Sequence, residues 1–277
     1  MAITNFIPTL WSETLYTELE KDYVGVRLCF RDFEGEIRGE GDRVKICGVG
    51  PVTVFDYKKN QDMPAAEVLS DTERTLVIDQ AKGFNFFLDS IDLAQSKKGL
   101  MQAAMKEASG ALSDVADRFV YSLTDDSVEE VTNDNVTSTS IISTLADARR
   151  ILMEHNVPNS AKISLEVPPA IEQKLVLAKV LRSTDNVEAL GRGYIGSFMG
   201  FDVYVSNNIQ KEGDAFRCIA RTGRAIAFAE QVSAVKAYEP ELRHGDAVKG
   251  LHLYGAKIVY PKEMVFLNLT PGEESQI

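Results

Sequence analysis

The densest spacing that could support chemistry lies between Leu190 and Asn207. Gly191, Gly193 and Gly196 keep the G-x-G-x-x-G spacing by which a dinucleotide-binding turn brings its backbone close to a pyrophosphate. That fingerprint has to follow a strand and open a helix. Here a fourth glycine, Gly200, follows, and then Phe201-Asp202-Val203-Tyr204-Val205, whose aromatic and β-branched residues read as a strand. The stretch is therefore expected to be a glycine-punctuated loop feeding a strand, with a nucleotide-binding enzyme using Gly191, Gly193 and Gly196 as the competing reading. Ser197 stands one position too early for the G-x-S-x-G nucleophile elbow, and no Gly-Lys-Ser/Thr phosphate loop occurs. His155, His244 and His252 lack the spacing to a second His or Cys that zinc requires, and read as cap or surface residues. Cys29, Cys47 and Cys218 are odd in number and far apart, which fits reduced, small core residues rather than a disulfide framework. No catalytic residue, metal ligand or cofactor is assigned, and the chain is not read as an enzyme.

The elements around this stretch have to be built from 277 residues, of which 44% are hydrophobic, enough for a proper core. Asp and Glu number 41 against 30 Lys and Arg, a formal charge of −11, which argues against a protein that grips nucleic acid by neutralising phosphates. The opening Met1-Ala2-Ile3-Thr4-Asn5-Phe6 lacks the basic-then-apolar order of a secretory signal, and no apolar run approaches the ~20 residues that span a bilayer. A reducing cytoplasm, or something assembled there, is the expected setting.

The first thirty residues place Phe6 and Trp11 in a short Pro-marked segment, and a helical period follows through Trp11, Leu15 and Leu19. Arg43–Cys47 and Pro51–Tyr57 read as two strands of a long hairpin, which has little of its own chain to lean on. Strands are expected at 75–79 and 84–88. A long helix follows from about Ile91 to about Leu123, with Met101, Ala104, Met105, Ala108, Leu112, Val115 and Phe119 as its apolar stripe and Asp114, Asp117 and Arg118 among its polar positions. The acidic, Ser/Thr-rich stretch after it, Thr124 to Ser140, reads as a solvated connector. Helices are expected at 141–155 and after Pro168-Pro169, and strands at 161–167, 201–206, 216–220, 232–238, 250–261 and 264–267, with a short segment at 225–229. The mixture is α+β.

Several of these places, in this order, resemble the major capsid protein of tailed bacteriophages, with its Hong Kong 97 type fold: Phe6-Ile7-Pro8-Thr9-Leu10-Trp11-Ser12, the pairing of Gly41–Ile46 with Val52–Tyr57, the long helix, Gly193–Asn207, and Gly250–Pro261. The resemblance implies an N-terminal arm (1–33), an extended hairpin loop (34–75), a peripheral domain on a spine helix (76–138, helix about 91–123), an axial domain (139–246) and a return to the peripheral domain (247–277). It implies a subunit that self-assembles into hexamers and pentamers of an icosahedral head enclosing double-stranded DNA, contacted weakly. Partners would be other copies, a separate scaffolding protein and a portal protein, with no membrane; the product would be a virion assembled in the host bacterial cytoplasm. The same fold serves encapsulin-type compartments, which remain the alternative shell. Candidate assembly contacts are Phe6, Trp11, Val44, Ile46, Val54, Phe55, Tyr57, Tyr194 and Phe198.

Overall fold

The computed structural model describes residues 23–32, 43–49, 56, 71–89, 100–179, 181–183, 193–240 and 245–274. The expected helix around Trp11, Leu15 and Leu19 and the expected strand at 51–57, Asp56 apart, lie outside the described residues, as do the candidate contacts Phe6, Trp11, Val54, Phe55 and Tyr57.

A mixed sheet forms the centre. Strand β4 (Glu129–Val136) runs parallel to β13 (Met264–Pro271), which pairs antiparallel with β10 (Ala215–Thr222), and β10 pairs antiparallel with β5 (Ile163–Val167). β5 is parallel to β8 (Phe201–Val205), which is followed outward by β7 (Tyr194–Phe198) and β6 (Arg182–Ser183); the short β9 (Lys211–Glu212) joins β10. Side chains alternate across a strand. Val265, Leu267 and Leu269 of β13 thus enter one core with Ile141, Leu145, Ala148 and Leu152 of helix α2 (Ser140–Glu154) and Ile171 and Leu175 of α3 (Pro169–Leu177). Met264 and Phe266 enter the opposite core, under helix α1 (Leu100–Ser122).

A three-stranded antiparallel sheet covers the other side of α1, in the order β11 (Ile226–Tyr238), β12 (Gly245–Ile258), β3 (Gln80–Asp89). Its strands also alternate. Ile226, Phe228 and Tyr254 face α1, whereas Ala227, Ala229 and Leu253 face a two-stranded stem made of β1 (Arg43–Val49) and β2 (Asp71–Val77). The layers therefore run stem, small sheet, α1, large sheet, then α2 and α3.

The structure departs from the sequence reading at several points. The acidic connector is in part a strand, β4, held by its parallel ladder to β13. The loop expected at 194–198 is itself a strand, hairpin-paired with β8. The expected pieces at 225–229 and 232–238 are one strand, β11, with an irregularity between Ser233 and Lys236. The two sheets also cut across the segments drawn from sequence: β11 falls inside 139–246 yet belongs with β12 and β3, and β13 falls inside 247–277 yet lies within the large sheet. The stripe of α1 is rotated from the expected one, because Val115 stands 36% exposed while Ser113 and Asp117 are buried.

Candidate assembly site at the root of the arm

Residues 23–32 are the end of the segment read as an arm (1–33), next to the segment read as a hairpin loop (34–75), and they thread between α1, the large sheet and the free edge of β11. Backbone bonds hold the far end: the Phe30 N–H donates to the Ile226 carbonyl at 2.8 Å, and the Phe228 N–H donates to the Phe30 carbonyl at 2.9 Å. Side chains hold the rest, and most of them are charged and buried.

Asp117 projects from α1, 1% exposed, and accepts the Val24 N–H on Oδ2 and the Val26 N–H on Oδ1, each at 2.9 Å. Burial pushes its carboxyl up to about 6, against the pull of those backbone donors and with a smaller push from Glu166. Arg221 of β10 is wholly buried. Its guanidinium donates to Glu166 of β5 at 2.6 and 3.2 Å, to the Gly25 carbonyl at 2.8 Å, and to Cys29 Sγ at 3.1 Å. The neighbouring Glu166 and the hydrogen-bonded Cys29 thiol act to keep the guanidinium charged, against its burial. Burial pushes the Cys29 thiol up, and Cys29 and Cys218 are both free buried cysteines, as expected.

A third carboxylate, Glu230 of β11, collects donors from both ends of the segment. Tyr23 donates its phenol to Oε2 at 2.6 Å, Arg31 bonds Oε1, and His252 of β12 lies 2.8 Å from Oε2 through Nε2. Desolvation, and after it the adjacent Glu230, hold the Tyr23 hydroxyl far above the usual phenol range. His252 is 0% exposed, so the expectation of a cap or surface histidine fails for it. His155 does match, as the C-cap of α2 through its backbone N–H to the Ile151 carbonyl at 3.0 Å, while its ring sets Nδ1 3.0 Å from the Lys262 carbonyl and Nε2 2.9 Å from Glu129. Gly25 closes the root, since a Cβ there would stand 2.9 Å from the Tyr121 ring and hydroxyl.

Asp117, Glu166, Arg221 and Glu230 carry no site reading in the sequence, and His252 reads there only as a cap or surface residue. One signal existed: Ser109, Ser113 and Asp117 recur at four-residue intervals beside the apolar stripe, and all three are buried. The candidates that were picked out fall elsewhere. Val44 and Ile46 are 2% and 6% exposed and pack on Leu76, Ile78, Ala227 and Leu253 of their own chain, so they are core residues and not free contacts. Tyr194 is half-buried with its ring 5.4 Å from that of Tyr204, and Phe198 packs partly on the α2 core.

The glycine stretch is a hairpin. Phe198 pairs with Phe201, and the two residues between them, Met199 and Gly200, have φ of 49° and 83°, the doubly positive pattern of a type I′ turn. A side chain at Gly200 would land on the Arg149 guanidinium, which bonds the Met199 carbonyl. Gly196 sits within β7 and no helix follows, so the frame for a pyrophosphate turn is missing.

The buried ionisable groups of this site bond the backbone of residues 23–32, its Tyr23 and Arg31 side chains, or one another. The arrangement anchors residues 23–32 to α1, β10 and β11. A family model described as phage capsid protein matches residues 72–266, and the chain belongs to that family. Among solved structures, one from Mycobacterium phage Che8 is 28% identical, with a TM-score of 0.67 over 88% of this chain and 90% of that one. The capsid of Ralstonia phage GP4 aligns with a TM-score of 0.69 at 10% identity, covering 92% and 91%. A virus-like particle from Pyrococcus furiosus gives 0.59 at 14% identity, covering 94% and 98%. The last two show likeness of fold alone. No curated protein matches the sequence. The fold is of the Hong Kong 97 type, and the chain is a structural shell subunit that self-assembles into capsid oligomers as a virion component, with no enzymatic role.

Proposed function

We propose that the subunit forms the hexamers and pentamers of an icosahedral phage head around double-stranded DNA, each copy completing its neighbours through the arm and the hairpin loop. The observation that carries this reading is the root at Tyr23–Asp32. A buried carboxylate on α1 and a buried guanidinium on β10 fix the backbone of this segment, and a buried carboxylate on β11 holds its Tyr23 and Arg31 side chains. Such an anchor transmits load between a departing segment and the core, which a loosely packed terminus cannot do. In this reading α1 and the small sheet make the peripheral domain, and the large sheet with α2 and α3 makes the axial domain. Tyr194 and Phe198, on β7 of that sheet, and the arm and loop residues Phe6, Trp11, Val54, Phe55 and Tyr57 are the contacts assigned to neighbours. A net charge of −11 suits a wall that contains DNA with weak contact. A separate scaffolding protein and a portal protein complete the assembly, which takes place in the host bacterial cytoplasm.

Negative-stain electron microscopy with light-scattering mass, on the protein alone and with its assembly partners, tests the proposal. Closed shells or rings with five-fold and six-fold units are the expected result. A monomer or dimer at every concentration, salt and pH would refute it. The likeness to the Pyrococcus furiosus virus-like particle favours one second reading, a compartment of encapsulin type. Purified shells holding a protein cargo instead of a genome would select it.

A further inference from the structure

The stem β1–β2 rests on the small sheet at a point where two backbones nearly touch. β2 and β3 are consecutive, separated only by Ile78 and Asp79, and β3 pairs with β12 from Gln80 opposite Tyr254. The chain therefore bends at Ile78 and crosses above β12 at Gly255. A Cβ at Gly255 would fall onto the Val77 carbonyl oxygen, 3.0 Å from the Val77 carbonyl carbon and 3.1 Å from the Ile78 Cα. The residue paired with Gly255 on β11 is Ala229, and Ala227 lies two positions away on the same face. At the crossing itself the seat is thus Gly255 and two alanines, with Leu253 and Val259 packing beside them.

A polar contact adds to the burial of Val44, Ile46, Leu76 and Ile78 that holds the stem on the small sheet. Arg74 of β2 donates to the Ile258 carbonyl at 2.7 Å and to Asp125 Oδ2 at 3.2 Å, tying the stem to the end of β12 and to the segment after α1. Hydrogen bonds from Ser127 and then Arg74 hold the Asp125 carboxyl below its ordinary value. Flanking this tie is a cleft of about 430 Å³ lined by Ile46, Arg74, His155, Val259, Tyr260 and Lys262. The stem thus has a close-packed crossing at Gly255, an apolar face buried on the small sheet, a polar tie at Arg74, and a cleft beside that tie.

We infer that Gly255, with Ala227 and Ala229, is the fulcrum and Arg74 the tie that together set the projection angle of the β1–β2 stem. They are positioning residues for the curvature of the shell. The curvature part rests on the proposed assembly through the hairpin loop; the fulcrum itself does not. A Cβ at Gly255 lifts Val77 and tilts the stem, and loss of the Arg74 guanidinium frees the stem toward the cleft.

The experiment uses the full chain with spin labels at Arg43→Cys, on the stem, and Val176→Cys, on exposed α3, read by pulsed electron-electron distance measurement in the unassembled subunit. Gly255→Ala shifts the label distance, and Arg74→Gln broadens its distribution. An unchanged distribution in Arg74→Gln overturns the inference even if Gly255→Ala does not fold. Shell diameter is then measured for the unlabelled variants beside Leu145→Ala, which weakens the α2 core without touching the seat. A diameter distribution shifted in Gly255→Ala or Arg74→Gln but not in Leu145→Ala supports the curvature role. Unchanged diameters, or an equal shift in Leu145→Ala, remove it. If the wild type forms no shells under any condition, the assembly reading and the curvature role both fall, while the label distances still decide the fulcrum.

Discussion

Replacing Arg221 by Met tests whether the buried charges at the arm root are coupled as described. The substitution keeps most of the side-chain volume and removes every donor, leaving Glu166 wholly buried and facing the positions where Nε and Nη2 stood at 2.6 and 3.2 Å. Breaking a buried pair from one side costs about 3–5 kcal/mol, because the surviving charge keeps its desolvation penalty. The Gly25 carbonyl loses its 2.8 Å donor in addition. For a chain of this size the loss lowers the melting temperature by roughly 10 °C. The double replacement Arg221→Met with Glu166→Leu removes both charges and is expected to recover most of that stability, since apolar substitution of a buried pair is often neutral. It does not restore a donor to Gly25, so residues 23–32 should still be cut faster than wild type in limited proteolysis. Urea denaturation of the three proteins, with proteolysis of the folded states, reads both effects. A loss under about 1 kcal/mol for Arg221→Met, the range of an ordinary hydrogen bond, would refute the coupling. So would a double variant as unstable as the single one.

Asp117 gives a pH signature. Its folded carboxyl titrates at about 6 against 3.8 for the ordinary group, so the folded state holds the proton more tightly than the unfolded one. The stabilisation is complete below about pH 4 and is lost as pH rises through about 6. At about 1.4 kcal/mol per pKa unit the change is ~3 kcal/mol. Asp117→Asn should abolish this contribution, so the stability difference between wild type and variant, measured by urea denaturation from pH 4 to 7, should move in the variant's favour as pH rises; a constant difference contradicts the assignment. At the β7–β8 turn, Met199→Asn installs the Asn-Gly pair that a type I′ turn prefers, at a residue with φ of 49° and a largely exposed side chain. A gain of about 0.5–1 kcal/mol in thermal unfolding is expected, and a loss would show that the Met199 side chain is doing more than occupying the turn.

Much of the fold could be read in advance where a single period dominates. The strand at 201–205, the helix starting at Pro169, and the α2 stripe of Ile141, Leu145, Ala148 and Leu152 each bury an apolar face, and the strand at 163–167, though buried on both faces, keeps Ile163, Leu165 and Val167 on its apolar one, so their patterns survive in the sequence. The failures have physical causes. β4 carries almost no apolar residue, because it lies at the edge of the large sheet and its stability comes from the backbone ladder to β13, to which side chains contribute little. β7 hides behind glycines that the closely packed hairpin requires. The charged root was missed for a different reason. Charge on a helix ordinarily marks the solvated face, and nothing in the spacing of Asp117 says that two backbone N–H groups from ninety residues away will meet it. Glu166 and Arg221 are equally uninformative alone, since each is explained only by the other.

Why charges occupy this place follows from what an apolar root could not do. Of Val24, Val26 and Leu28 only Val26 is buried, at the start of the single 3-10 turn Val26–Leu28, so hydrophobic contact alone would resist a slip of the segment against α1 and β10 only weakly. The polar contacts forbid that slip. Asp117 is matched to the N–H groups of Val24 and Val26 together, Arg221 to the carbonyl of Gly25, and Glu230 to Tyr23 and Arg31 at either end. Moving the segment by two residues would leave at least one buried charge without its partner, at a cost of several kcal/mol, so one register is strongly preferred over its neighbours. In the proposed shell, where the arm reaches the same point on a neighbour in every copy, an error of two residues at the root would displace the arm by roughly 4 Å at the rise of a 3-10 turn. Fixing that register is the work these buried charges do, whatever they contribute to net stability.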